Sequence, residues 1–397
     1  MNLFFAIFFL VLFSGSLELA VAASTLRPIN PGIDQRLWDL EKRVSEIDLW
    51  YAEHYNQTQG KMAPFFSEKI SFGGFFETAV LHISGPDTLS QTSANSHALG
   101  INLAAEFNEK NHFVSQVINV LSYPLENEHN NPGLSPSQRE FVKVSFYSLL
   151  AQGYMEFNRS EALIVQVGLG YTPFGYSFQQ REPVLFRRKG GPLMLSSMGQ
   201  TTVGIAFPLW QGIHLHGSTS ATGRERFGYN LYSFTPSVNP KDLGEGARLW
   251  WTDSEIVTAG ISFQSGKQVN TSYSSYGADI NLKMRNFGLL TEYARVKFSQ
   301  GSPDLTSYYA EPYYVLSEGR WVIFAVGDYI NNPNLSQGAI SDAHEKWLTG
   351  FGVNWLPIPN SRLRLVFSDH DYRGVTETII AQRRDYQTLE FSAGLAF

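Results

Sequence analysis

The last nine residues, LEFSAGLAF, place an apolar side chain at every second position. Leu389, Phe391, Ala393, Leu395 and Phe397 alternate with Glu390, Ser392, Gly394 and Ala396. Successive side chains of a strand point to opposite faces, so this stretch reads as a strand with one greasy and one wet side. The same period of two runs from about residue 65 to the end. ALGINLAAEFNEKN sets Leu99, Ile101, Leu103, Ala105 and Phe107 against Gly100, Asn102, Ala104, Glu106 and Asn108. ALIVQVGLGY sets Leu163, Val165, Val167, Leu169 and Tyr171 against Gln166, Gly168 and Gly170, and GADINLKM sets Ala278, Ile280, Leu282 and Met284 against Gly277, Asp279, Asn281 and Lys283. Trp347, Phe351, Val353 and Trp355, then Leu363, Leu365 and Phe367, continue the pattern. Such a chain is confined to β architectures whose strands carry one apolar face.

What the apolar face meets is the next question. A soluble sandwich or lipocalin-like barrel turns it inward and covers the outside with ordinary polar residues, many of them Lys and Glu. Here charged residues are only 17% of the chain and aromatics reach 14%, more ring surface than an aqueous exterior needs. The second face carries Gly, Ser, Thr, Asn and scattered charges, as a wet interior tolerates. Connectors alternate in size. NEKN (108–111), NRSE (158–161), QSGK (264–267), RNF (285–287) and LPIPNS (356–361) read as short turns. Between them lie long polar or Gly/Pro-rich stretches at 122–138, 173–197, 235–248, 299–319 and 331–345. Short turns at one end and long loops at the other are the pattern of a transmembrane antiparallel β-barrel. Tyr171, Phe174, Trp210, Trp250, Trp251, Trp321 and Trp355 are candidates for its two interfacial girdles. Roughly 335 residues at ~10 per strand plus connectors of similar mean length give about sixteen strands. A barrel of that size leaves an aqueous channel.

The N-terminus reads as an export signal over residues 1–22. Leu3 to Phe13 are uninterruptedly apolar, too short to span a bilayer, and Ala20-Val21-Ala22 supplies a small-x-small cleavage pattern. An uncleaved anchor is the alternative. Residues 23–60 read as a linker and a short periplasmic coiled-coil helix with Ile33, Leu37, Leu40, Val44, Ile47 and Tyr51 on its seam. An amphipathic helix lying on the subunit's own surface fits the same spacing. Residues 61–397 are left for the barrel.

Candidate chemistry is sparse. The chain has no cysteine, which removes disulfides, thiol catalysis and Cys-ligated zinc. A net charge of −6 with no long basic run lacks the footprint of a nucleic-acid binder. His214 and His216 share one strand face about 7 Å apart, a spacing that can hold a metal, but no carboxylate or third His stands nearby in sequence. A G-x-S-x-G elbow is absent, and SDHD (368–371) falls where a loop is expected, so no catalytic set is assigned. Arg224 and Arg226, then Arg362 and Arg364, pair on strand faces, and Arg181, Arg187, Arg188 and Lys189 crowd the 173–197 loop among aromatics. Guanidinium and ammonium groups facing a wet pore orient anions; their alternative is to snorkel at strand ends or pair with acidic residues across the lumen. The loop is long enough to fold inward and constrict the channel, or to serve as a surface loop.

The signal-like leader, the C-terminal LEFSAGLAF and the alternation of turns and loops together resemble the Gram-negative outer-membrane porins. VGLGYTPFGY with its basic loop, LLTEYARVKF and the coiled-coil leader are similar to phosphate-selective (O/P-type) porins and to siderophore porins of the legiobactin-receptor type. The resemblance implies an outer-membrane homotrimer without cofactor or metal, whose terminal strand (Tyr386, Leu389, Phe391, Leu395, Phe397) addresses the barrel assembly machinery. The expected function is passive diffusion of small solutes through an anion-leaning channel; a substrate-specific pore for an anion or siderophore–iron complex and a non-conducting barrel for adhesion or surface binding are the alternatives, and the resemblance does not carry over a substrate. The lysine rings of phosphate-selective members have no match here, and no plug domain or energy-coupling box is seen.

Overall fold

The computed structural model describes residues 70–85, 88–108, 110–122, 145–177, 187, 209–219, 225–235, 243–253, 256–268, 271–299, 304–316, 319–331, 345–358, 360–373 and 385–397. The expected leader and the coiled-coil seam from Ile33 to Tyr51 lie outside them. Sixteen strands follow one another: β1 (Ile70–Gly85), β2 (Thr88–Asn108), β3 (Asn111–Ser122), β4 (Ser145–Ser160), β5 (Leu163–Tyr171), β6 (Leu209–Ser218), β7 (Glu225–Phe234) and β8 (Gly244–Asp253). Then come β9 (Val257–Gln268), β10 (Thr271–Met284), β11 (Phe287–Phe298), β12 (Leu305–Leu316), β13 (Trp321–Asn331), β14 (Glu345–Trp355), β15 (Ser361–Arg373) and β16 (Asp385–Ala396). Each pairs antiparallel with its sequence neighbours, and β1 pairs with β16, so the sheet closes on itself.

The polarity of the wall is the reverse of a soluble protein's. Ile261, Phe351, Phe391 and Leu365 are 61%, 62%, 50% and 46% exposed, whereas Glu77, Gln264, Ser275 and Ser392 are fully enclosed. The two sets occupy alternate positions along the strands, so the apolar residues of the repeats named above, Tyr171 excepted, face out and the polar ones at mid-strand face in. Only a hydrocarbon surround stabilises this arrangement. Two rows of outward rings bound the apolar band. Tyr293, Tyr308, Tyr329 and Trp347 form one register row across β11 to β14, with centroids 5.1, 5.8 and 4.2 Å apart. At the other end Trp321 stacks on Trp355 at 5.6 Å. The residues from Trp321 to Tyr329, and from Trp347 to Trp355, run about 27 Å along the strand and so about 21 Å across the wall at the usual tilt, close to the expected apolar height. Four of the proposed girdle residues are elsewhere. Trp210 and Phe174 are buried on the inside, the Trp250 ring lies against Gly228 on the inner face, and the Tyr171 hydroxyl donates to inward-facing Gln116. Trp251 faces out opposite Phe227.

Connections at one end span at most the six residues 219–224; the other end holds the long ones at 123–144 and 172–208. Three sequence expectations fail here, the first being the expected loop 235–248, whose residues Gly244 to Arg248 belong to β8. QSGK is part of β9, and the two-residue connection after it, 269–270, falls on the long-connection side. The stretch 299–319, expected as a loop, contains β12. Its Pro312 lacks a backbone N–H, and pairing with β13 jumps from Ala310↔Gly327 to Tyr313↔Phe324, leaving the proline at a gap in the ladder.

Closure is completed by the last residue. Gly74 and Phe397 exchange backbone bonds of 2.7 and 2.9 Å, and a Cβ on Gly74 would meet the Gly100 carbonyl oxygen and press on the Phe397 ring. Inside, Arg364 of β15 reaches over Ser392 of β16 to Glu77 of β1, both side chains fully enclosed. The wall's polarity gives a direct test. Ile261→Arg, harmless on the surface of a soluble protein, is expected to cost about 2–4 kcal/mol in urea unfolding from lipid vesicles.

Candidate functional site

The described residues of the 172–208 connection, Thr172 to Ser177 and Arg187, lie inside the barrel. Thr172 to Gly175 are buried, and Phe174 is 1% exposed in an inner apolar cluster with Trp210, Tyr232, Phe234, Tyr273 and Leu290. Gly175 has φ 64°, a conformation that favours glycine, and its N–H donates to Ser262 Oγ of β9 at 3.0 Å. A side chain there would also press on the Glu292 carboxyl. Ser177 donates both its N–H and its hydroxyl to Glu292 Oε1 of β11, at 2.6 and 2.5 Å. Further along, Arg187 binds Glu311 Oε1 of β12 at 2.6 Å and lies 3.5 Å above the Tyr313 ring, while the Tyr309 hydroxyl donates to Glu311 Oε2 at 2.7 Å. Glu311 is next to Pro312, at the gap between β12 and β13. Three strands thus hold the described part of this segment against the inner wall.

The sequence-selected cations divide into three groups. Arg181, Arg188, Lys189 and Arg224 lie outside the described residues. Arg187 and Arg364 are inside the barrel, each matched by a carboxylate, so neither presents a bare guanidinium to the lumen. Arg226 is exposed near the short-connection end of β7, and Arg362 is half-buried on the same face as Arg364. Sequence reading missed Arg248, buried on β8, which holds Asp279 of β10 across β9 through two nitrogens. It also missed Glu77 and Glu311. The available signal was an acidic residue at a wet-face position two or three strands from an arginine in the same phase.

His214 and His216 stack at 4.8 Å on β6. The two ring nitrogens of His214 lie 2.7 Å from Gln166 Oε1 and 3.1 Å from Asn230 Oδ1, so its partners are carboxamides. Among the described residues no three His, Asp or Glu side chains gather as a metal set. SDHD belongs to β15 rather than to a loop, and alternation sends Ser368 inward and Asp369 outward. Of the terminal-strand set, Leu389, Phe391, Leu395 and Phe397 face out, while Tyr386 stacks on His370 at 4.4 Å on the inner side.

No protein-family model matches the chain, and no curated protein matches its sequence. Solved structures do match in fold. An anion-selective porin from Comamonas acidovorans superposes with a TM-score of 0.56 at 10% identity, over 83% of this chain and 99% of that one. Outer-membrane expressed OmpT of Vibrio cholerae gives 0.53 at 11%, over 84% and 100%. Salmonella typhi OmpF, in complex with daunomycin, gives 0.53 at 10%, over 83% and 99%. At such identities the likeness establishes the closed barrel shared with these outer-membrane proteins.

The seat of the inward segment is testable. Glu292→Ala removes the acceptor of two hydrogen bonds and is expected to raise trypsin cleavage after Arg187 in the membrane-embedded protein by about tenfold or more, with Ser177→Ala intermediate.

Proposed function

We propose that the protein is an outer-membrane porin, a water-filled channel for passive diffusion of small solutes. One observation supports this above the rest: a closed sixteen-stranded wall whose apolar face is outside and whose polar face is inside. Sixteen strands enclose more space than wall side chains alone fill. Residues 172–177 and Arg187 lie against the inner wall, where they narrow the bore. Diffusion calls on no cofactor and no catalytic residue.

The same reading places the chain in the Gram-negative outer membrane as a homotrimer, exported through residues 1–22. Its terminal strand, with Phe397 at the closing position, serves as the address for the barrel assembly machinery. These assignments rest on the sequence resemblance and the fold. An anion preference, or a specific anion or siderophore–iron pathway, has less support within the described residues, since Arg187 and Arg364 are each offset by a carboxylate. It falls to Arg226, Arg362 and the basic residues of the 181–189 segment.

Purified protein in planar bilayers should give stepwise openings, grouped in threes for a trimer; a barrel that stays silent refutes the channel and favours the adhesion variant. If the wall carries an anion preference, Arg226→Gln with Arg362→Gln moves the reversal potential toward zero. Arg364→Gln should instead lower the yield of heat-modifiable folded barrel, because it strands Glu77 without its partner, a loss on the order of 3–5 kcal/mol.

A further inference from the structure

The outer face is not uniform around the barrel. On β14, β15 and β16 the outward positions at mid-strand include Phe351, Leu365 and Phe391, the kind of surface that hydrocarbon requires. Past the seam the same phase turns polar. Thr78 of β1 stands between Phe76 and Val80, both exposed, and faces out with them. It lies four positions beyond Gly74, which holds Phe397. That is about 13 Å along the strand and about 10 Å across the wall, well inside an apolar band about 25 Å tall. The Thr78 hydroxyl meets Nδ1 of outward-facing His97 on β2 at 2.7 Å. Beside them, Asn119 of β3 is opposite Leu99, two positions from His97, and opposite Ser148 of β4. The Ser148 hydroxyl donates to Asn119 Oδ1 at 2.5 Å. Thr78, His97, Asn119 and Ser148 are each half-buried or exposed, and they form one oblique polar patch about 14 Å wide across β1 to β4.

A second asymmetry concerns the rings. Tyr and Trp gather where a wall meets lipid headgroups, as they do on β11 to β14. On β1 to β4 no described Tyr or Trp side chain faces out; Tyr154 is turned inward onto Trp210. Polar side chains held against hydrocarbon at this depth are costly even when paired with each other, and another protein surface offers them further hydrogen bonds. The chemistry narrows which surface fits. None of the four carries a fixed charge, so no oppositely charged partner is called for. Thr, Ser, Asn and neutral His each donate and accept, so the same set of groups on a second copy can satisfy them.

We propose that the outer face of β1 to β4 is the contact between copies of this chain, with Thr78, His97, Asn119 and Ser148 at its polar centre, while lipid covers β11 to β16. The inference rests on the homotrimer reading, and the test separates it from the channel. The chain has no cysteine, so single ones report cleanly. Leu150→Cys, two positions from Ser148 on the outer face, and Phe351→Cys are each labelled with bimane. The full chain is then reconstituted in vesicles of brominated phosphatidylcholine, whose acyl chains quench on contact. Phe351→Cys should lose most of its fluorescence and Leu150→Cys little. Donor- and acceptor-labelled Leu150→Cys copies folded together should show energy transfer. Heat-modifiability on gels confirms folding, and Leu99→Cys reads the same face should Leu150→Cys not fold. His97→Leu with Asn119→Leu, a change that lipid would welcome, should instead lower the temperature at which the oligomer falls to folded monomers. Quenching as strong at Leu150→Cys as at Phe351→Cys, shielding without energy transfer, or an oligomer unmoved by the double substitution overturns the contact, and a recorded current then leaves the channel standing. A shielded oligomer that passes no current overturns the channel and leaves the contact.

Discussion

In hydrocarbon no water is present to satisfy an unpaired backbone group, so a sheet can cross a membrane only if it has no edge. Everything in this barrel depends on the seam where β1 meets β16. The chain brings together residues from its two ends there, and three layers of interaction converge. The ladder pairs Phe75 with Ala396 through to Ser84 with Gln387. The Phe397 backbone and ring close against Gly74, and on the inner side Arg364 and Glu77 tie β15 to β1 across the intervening strand. An ion pair enclosed on both sides adds little net stability by itself, but it leaves one register acceptable and penalises slippage, since a one-residue shift would turn Glu77 outward into lipid.

A second constraint acts within the wall. Cations inside the barrel need partners, and the partner is two strands away for the arginines of the wall, Arg248 with Asp279 and Arg364 with Glu77, or on the wall for the arginine of the inward segment, Arg187 with Glu311. The irregularity at Pro312 belongs to this logic. A gap in the β12–β13 ladder lies beside the acidic side chain that holds Arg187, so the least regular part of the wall is where the inward segment attaches.

The fold was legible because lipid imposes its alternation on nearly every strand. Leu389, Phe391 and Leu395, or Ala278, Ile280 and Met284, announce their face in any short window, and the closed sixteen-stranded architecture follows from their repetition. Legibility failed where the pattern is broken by a local exception. The Pro312 region has two acidic or imino residues in succession and reads as a loop, and QSGK has the composition of a turn although it continues a strand. The site was harder still. Lone arginines were visible, but whether each was bare or matched depended on residues such as Glu77, whose separation from Arg364 in the chain no local pattern can bridge. Aromatics misled for a related reason: a Trp at a strand end suits a lipid interface, and only the phase of its strand reveals that Trp210 and Trp250 face the other way.

The flat rings of the inner wall carry one more consequence. Trp250 rests on Gly228, Phe324 on Gly352 and Tyr313 on Gly288, each on a neighbouring strand at a position without a side chain. A ring lying down takes up its thickness of the bore; a ring standing up takes up its full width. The calibre of the lumen is therefore governed in part by residues that contribute nothing to its lining. Selection on solute size can act through a methyl group added beneath a ring, leaving every visible contact residue unchanged.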